Sequence, residues 1–204
     1  MNNLQLKESD TFPDQVDSWL FPAAVTTHLL LTAGLKNPTV RRRYVTTKKL
    51  LKEYKLLEFY PKLLKLIGCA DISRKVVEYH LEQLTEIFDK AKEIKTSFFF
   101  ASDISDIARP ISIGGSWKMV EQGFHREAIF WIVATFSRCQ KIFIKNGSTQ
   151  IEKWSEKRYR DLVSELGIYS FSDLKYRQKQ VKEFVPVVWE IGEEIIKVNS
   201  EIEK

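Results

Sequence analysis

Turn residues are scarce in this sequence. Its 204 residues include 8 glycines and 6 prolines, below the usual shares of about 7% and about 5%. Sandwiches, barrels and propellers need a turn every 8–12 residues or so, so these classes are excluded. Cysteine is scarcer still. Cys69 and Cys139 stand alone, with no CxxC pair, and three histidines (His28, His80, His125) complete the soft ligands. A structural zinc site needs four closely spaced ligands. No metal and no cofactor is therefore expected, and each cysteine reads as a buried free thiol. The amino terminus has no apolar core of the kind a signal peptide carries. The longest uncharged run, 18–35, contains Pro22, Thr26, Thr27 and His28. It is at the short limit for a membrane span and reads as a buried helix. The expectation is no membrane and a cytoplasmic location.

What is present is apolar and charged matter in helix-forming proportion: 44% hydrophobic and 29% charged residues. Asn37 and Pro38 form a helix-start signal for a helix to about Tyr54, and a shorter helix ends at Gly68. Ser73 caps a helix to about Lys95, with Val77, Leu81, Leu84, Phe88 and Ala91 in its apolar stripe. Residues 96–115 break the pattern, and Phe98, Phe99 and Phe100 should anchor them to the core. A helix or helix pair spans 116–145 with Gly123 as a break, another runs 150–166, and the last starts near Ser172 with a kink near Pro186. The expected fold is all-α: one helical bundle of about seven helices over 18–204, preceded by an arm of residues 1–17.

The formal net charge of +5 is unevenly spread. Residues 1–35 carry one basic and four acidic residues, 36–65 carry ten basic and two acidic, and 66–204 carry 21 of each. The surplus therefore belongs to one thirty-residue stretch. On a helical wheel Arg41, Arg42, Lys48, Lys49, Lys52 and Lys55 share a broad face opposite Val40, Tyr44, Leu51 and Tyr54. Such a face could meet phosphates of a nucleic acid or a nucleotide, or it could be a solvated surface. Arg43 falls among the apolar residues and should be buried against a carboxylate.

Residues 128–136 are apolar almost all round, the mark of a helix in the middle of a bundle. Glu127, Arg138, Lys141 and Lys145 lie on one strip of it. Glu127 and Arg138 are about 16 Å apart along the axis, too far to pair. They either line a groove for a polar ligand or pair with other helices. Asp103 and Asp106 could hold a metal or a cationic substrate, or cap a short helix. With Arg109 and His125 they complete the candidate ligand site: Asp103, Asp106, Arg109, His125, Glu127 and Arg138. Gly114-Gly115-Ser116 matches the glycine-serine part of the nucleotidyltransferase signature, but no acidic pair one residue apart follows. Arg74 and His80 have the spacing of the Arg-His pair of helical HEPN ribonucleases.

The stretches Trp19-Leu20-Phe21-Pro22-Ala23-Ala24, Asn37-Pro38-Thr39-Val40-Arg41-Arg42-Arg43-Tyr44 and Gly123-Phe124-His125-Arg126-Glu127-Ala128-Ile129-Phe130-Trp131-Ile132 resemble the helical C-terminal half of nucleotidyltransferase-like proteins related to the aminoglycoside nucleotidyltransferases. In that family an α/β domain carries the Gly-Ser and paired-Asp motif, and the helical domain receives the acceptor. The resemblance implies a helical domain without that catalytic part: stand-alone, a fragment, or the partner of a separate nucleotidyltransferase chain, as small HEPN-type proteins are. A general base of the helical domain would fall on Glu127. Three function classes follow. The leading one is a non-catalytic binding domain for a polar or phosphate-bearing ligand. The alternative is a nucleic-acid-binding or HEPN-like RNA-cleaving protein using the 36–65 face. The third is a homo-oligomer joined through the carboxylate-bearing last helix (Glu190, Glu193, Glu194, Glu201, Glu203).

Overall fold

The computed structural model describes residues 6–199, which contain eight α-helices and no strand. Residues 1–5 of the expected arm, and Glu201 and Glu203 of the expected interface, lie outside the described residues. The rest of that arm is not separate from the body. Helix α1 (Phe12–Ala33) starts six residues before the expected boundary at 18, and Pro13 and Val16 in its first turns are buried. α2 is Arg43–Glu53, α3 Tyr60–Leu66, α4 Arg74–Ala91, α5 Gly115–Glu121, α6 His125–Asn146, α7 Thr149–Glu165 and α8 Phe171–Val198.

α6 occupies the middle, as its all-round apolarity requires. Ile129, Phe130, Ile132, Val133 and Phe136 are fully buried, and α1, α4, α5 and α7 pack around it. All but the last two residues of the 18–35 run lie within α1, and the run supplies Trp19, Leu20, Ala23 and Leu30 to the same core. The indole nitrogen of Trp19 donates to the Leu66 carbonyl at 3.1 Å and so fastens α1 to the end of α3. Both cysteines are buried free thiols.

Helix boundaries follow capping chemistry. Ser73 accepts from the Val76 amide and Ser148 from the Ile151 amide, each satisfying an orphan donor of a first turn. α8 opens with a reciprocal box. The Ser170 hydroxyl accepts from the Asp173 amide while the Asp173 carboxylate accepts from the Ser170 amide. Gly123, with φ +82, separates α5 from α6 at the expected break. The Asn37–Pro38 signal does not start α2. A 3₁₀ turn at Val40–Arg42 intervenes, preceded by Thr39 in an extended conformation.

α8 packs one-sidedly along α1. Leu174, Val181, Val188 and Ile195, each seven residues apart, are its buried stripe. The two helices run parallel: Gln178 donates to the Ser18 carbonyl near one end, and Asn199 to the Ala33 carbonyl near the other. α8 continues as one helix through Pro186.

Candidate functional site

Glu127 sits in the first turn of α6, where the helix dipole favours a carboxylate. It is 1% exposed. Its Oε1 accepts from Lys48 Nζ at 3.1 Å and from the Tyr60 hydroxyl at 3.3 Å. Lys48 reaches in from α2 and keeps part of its side chain in solvent. Beneath the pair lie the Cys69 thiol and the Tyr44 hydroxyl, the latter buried without a partner. Burial pushes the Tyr60 hydroxyl and the Cys69 thiol up, and the Glu127 charge pushes both further. Burial also pushes Tyr44 up. These groups keep their protons, so Tyr60 acts as a donor to a carboxylate that faces inward. The residue onto which the family resemblance carries a general base is closed off by its own ion pair.

Arg138, about three turns further along α6, is sandwiched between the rings of Phe100 and Trp131, with centroids 4.9 and 5.0 Å from its guanidinium carbon. Its Nη1 lies 3.3 Å from Asp103 Oδ2. That pair has ion-pair distance without hydrogen-bond alignment. Asp106 accepts from Lys92, the residue after α4, at 2.6 Å. Arg109 makes a two-pronged bond to Asp89 of α4, both arms 2.7 Å, and holds that carboxyl below its ordinary range. Ion pairs therefore hold the broken segment to α4, to Lys92 just after it and to α6, and hydrogen bonds from Thr96 to Asn146 and from Lys145 to Ser97 add to the hold of α6. Its two aspartates neither cap a helix nor gather at a metal site. Among the described residues no group of three His, Cys, Asp or Glu could hold a metal ion. His125 opens α6, half-buried, with Nδ1 unpartnered, and joins none of these pairs.

The six candidate residues thus fall into separate clusters, and five clefts on the described surface are lined by other residues. Two further expectations change. Phe98 packs on the core, but Phe99 is 87% exposed and Phe100 covers Arg138 instead. The segment is also partly helical, with a 3₁₀ turn at Ala101–Asp103 and a π turn at Pro110–Gly114 leading into α5. Gly115 makes room for the Arg41 guanidinium, which a Cβ there would strike.

The basic segment behaves differently. Arg41 donates to the Ile111 carbonyl and Lys48 is used by Glu127. Lys49 and Lys52 on α2, Lys55 after it, and Lys62 and Lys65 on α3 are exposed and have no ion pair among the described residues. Arg42 is half-buried and also unpaired. Arg43 does not meet the expected carboxylate; its Nε is buried without a partner. Of ten basic residues in 36–65, only Lys48 pairs with a carboxylate of the described residues. Of twenty in 66–199, eight do. Lys62 and Lys65 also line an open cleft of about 360 Å³ against Arg177 and Gln180 of α8.

Arg74 and His80 do not share a site. Arg74 is exposed and held by Glu78 one turn on, whereas His80 is 3% exposed. Sequence reasoning missed one apolar feature. Val185, Trp189 and Ile196 of α8 stand exposed, and Trp189 and Ile196 line a cleft of about 280 Å³ with Leu29 of α1. Their spacing of four and seven residues, on a stripe distinct from the buried one, is the signal that marks it. No helix of the described residues is long and apolar enough to cross a membrane. No protein-family model matches the chain, and no curated protein or solved structure matches it.

Proposed function

We propose that the protein binds the phosphate backbone of a nucleic acid through the surface carried by α2 and α3, without reading base sequence. One observation carries this reading: among the described residues nine of the ten cations of 36–65 have no carboxylate partner, whereas eight of the twenty in 66–199 have one. Counterion release on phosphate contact would supply the affinity. The shape of the surface supports a backbone binder, because short helices present lysines and no aromatic platform for stacked bases. The RNA-cleaving variant of this reading loses its residues, since His80 is buried and Arg74 is engaged elsewhere.

Fluorescence anisotropy with a labelled single-stranded RNA at about 50 mM salt tests the reading. Binding should be detected and should be lost when Lys49, Lys52 and Lys62 are changed together to Glu. No binding by the unaltered chain at that salt contradicts it. A second reading, a homo-oligomer joined along the seam of α1 and α8, draws support from the exposed strip of Val185, Trp189 and Ile196. Sedimentation of a concentration series tests it: Trp189→Glu should shift the mass towards monomer, and a monomer at every concentration removes it.

A further inference from the structure

A second cleft, on α4 and α7 rather than on α2 and α3, is built of different chemistry. It opens between α4 and α7 with a volume of about 460 Å³, within the range of small-ligand sites. Lys75, Tyr79 and His80 line one side, and Asp161, Ser164 and Glu165 the other. Asp161 and Glu165 are four residues apart on α7, hence on one face and mutually repelling. Neither has a cation within ion-pair distance among the described residues, although Lys75 lines the opposite wall. His80 is 97% buried by its 3% exposure, and its Nδ1 has no hydrogen-bond partner. That nitrogen is closed to solvent, so a donor in the cleft would meet the ring's other nitrogen, Nε2, to which no group of the described residues is hydrogen-bonded.

We propose that this cleft takes a small organic cation, an alkylammonium or guanidinium group, with its charge against Asp161 and Glu165 and an N–H directed to His80. The carboxylates and the imidazole together ask for a ligand that is positively charged and rich in N–H donors. A bare metal ion fits poorly, because no three such ligands in the described residues approach closely enough to share one. The ligand must span the gap with covalent structure of its own. Burial lowers the proton affinity of His80 despite the two nearby carboxylates. A neutral imidazole is the form that can accept a hydrogen bond from an ammonium. The same chemistry is offered by a free diamine and by the lysine or arginine side chain of another protein.

The test is an NMR titration of the full chain that follows the His80 imidazole signals. The probes are 1,4-diaminobutane, guanidinium chloride at low concentration, and a lysine blocked at both backbone ends. Sodium chloride at matched ionic strength is the control. A saturable shift with an organic cation, absent with sodium chloride, is expected. Preference for the diamine assigns a free amine, and preference for the blocked lysine assigns a side chain of a partner. The double variant Asp161→Asn, Glu165→Gln alters only exposed positions, so it should fold normally and should weaken binding by about tenfold or more. A shift that never saturates, that sodium chloride reproduces, or that the double variant leaves unchanged overturns the proposal.

Discussion

The basic segment 36–65 and the central helix with its stapled neighbour use the same charged side chains to opposite ends. Around α6, Glu127, Arg138 and Lys141 each close on a partner from another helix or from the broken segment: Lys48, Asp103, and the pair Asp14 and Asp17. These charges are spent on holding the fold. On α2 and α3 the lysines other than Lys48 stand exposed, with no ion pair among the described residues. Charge on a buried helix is costly until it is paired, so every such residue in α6 acquires a partner. Charge on an exposed helix is under no such pressure, and what remains unpaired there is open to something outside the chain. Lys48 marks the border, since it belongs to the basic segment by sequence and to the central helix by its bond.

The border residue offers the sharpest break. Lys48→Met strands the buried Glu127 carboxylate. Stability in urea should fall by about 2 kcal/mol, less than for a fully buried pair because water reaches the lysine end. Equal stability of this variant and the unaltered chain would show that Glu127 needs no cation. Arg109→Ala removes the two-pronged bond to Asp89, which is partly exposed, and should cost about 1 kcal/mol. Hydrogen exchange should quicken in residues 97–109 and leave α6 unaffected. His80 gives a third case, a buried titratable group with no hydrogen-bond partner at Nδ1. Its proton affinity is lower folded than unfolded, so the unfolded chain binds the extra proton first. Stability from this group is present above its ordinary value of 6.5 and is lost as the pH falls below it. His80→Gln should flatten that part of the acid limb, with Asp161, Glu165, Lys75 and Tyr79 unchanged around it. The smallest effect belongs to Lys49→Met, next to Lys48 in sequence, which should alter stability by no more than about 0.5 kcal/mol.

The helices were legible because each is fixed by short-range signals. The apolar stripe of α4 and its Ser73 cap place that helix, and the all-round apolarity of 128–136 puts α6 in the centre. Pairing was not legible in the same way. Glu127 and Lys48 lie 79 residues apart, and only the packing of α2 against α6 decides that they meet rather than facing a groove. The same holds for Asp103 and Arg138. Three consecutive phenylalanines promised an anchor, but neighbouring side chains point in different directions in any backbone, so Phe98 packs while Phe99 remains in solvent. Asn37–Pro38 has the residues of a helix start, yet the α-helix begins only after a 3₁₀ turn at Val40–Arg42, from which Arg41 donates to the distant Ile111 carbonyl. The uneven charge visible in the composition proved the more durable signal. It identified where cations would be in excess, and geometry then showed which of them were used.

The central claim is that the lysines of α2 and α3 are free for a phosphate backbone. The direct measurement is the slope of log affinity against log salt for single-stranded RNA, on the unaltered chain and on Lys49→Gln, Lys52→Gln. If about four lysines meet phosphates, the slope should be near −3, at about −0.7 per contact. The double variant should lose about 1.4 of it while its urea midpoint stays in place. A slope near zero, or a slope that the double variant does not reduce, would contradict the account.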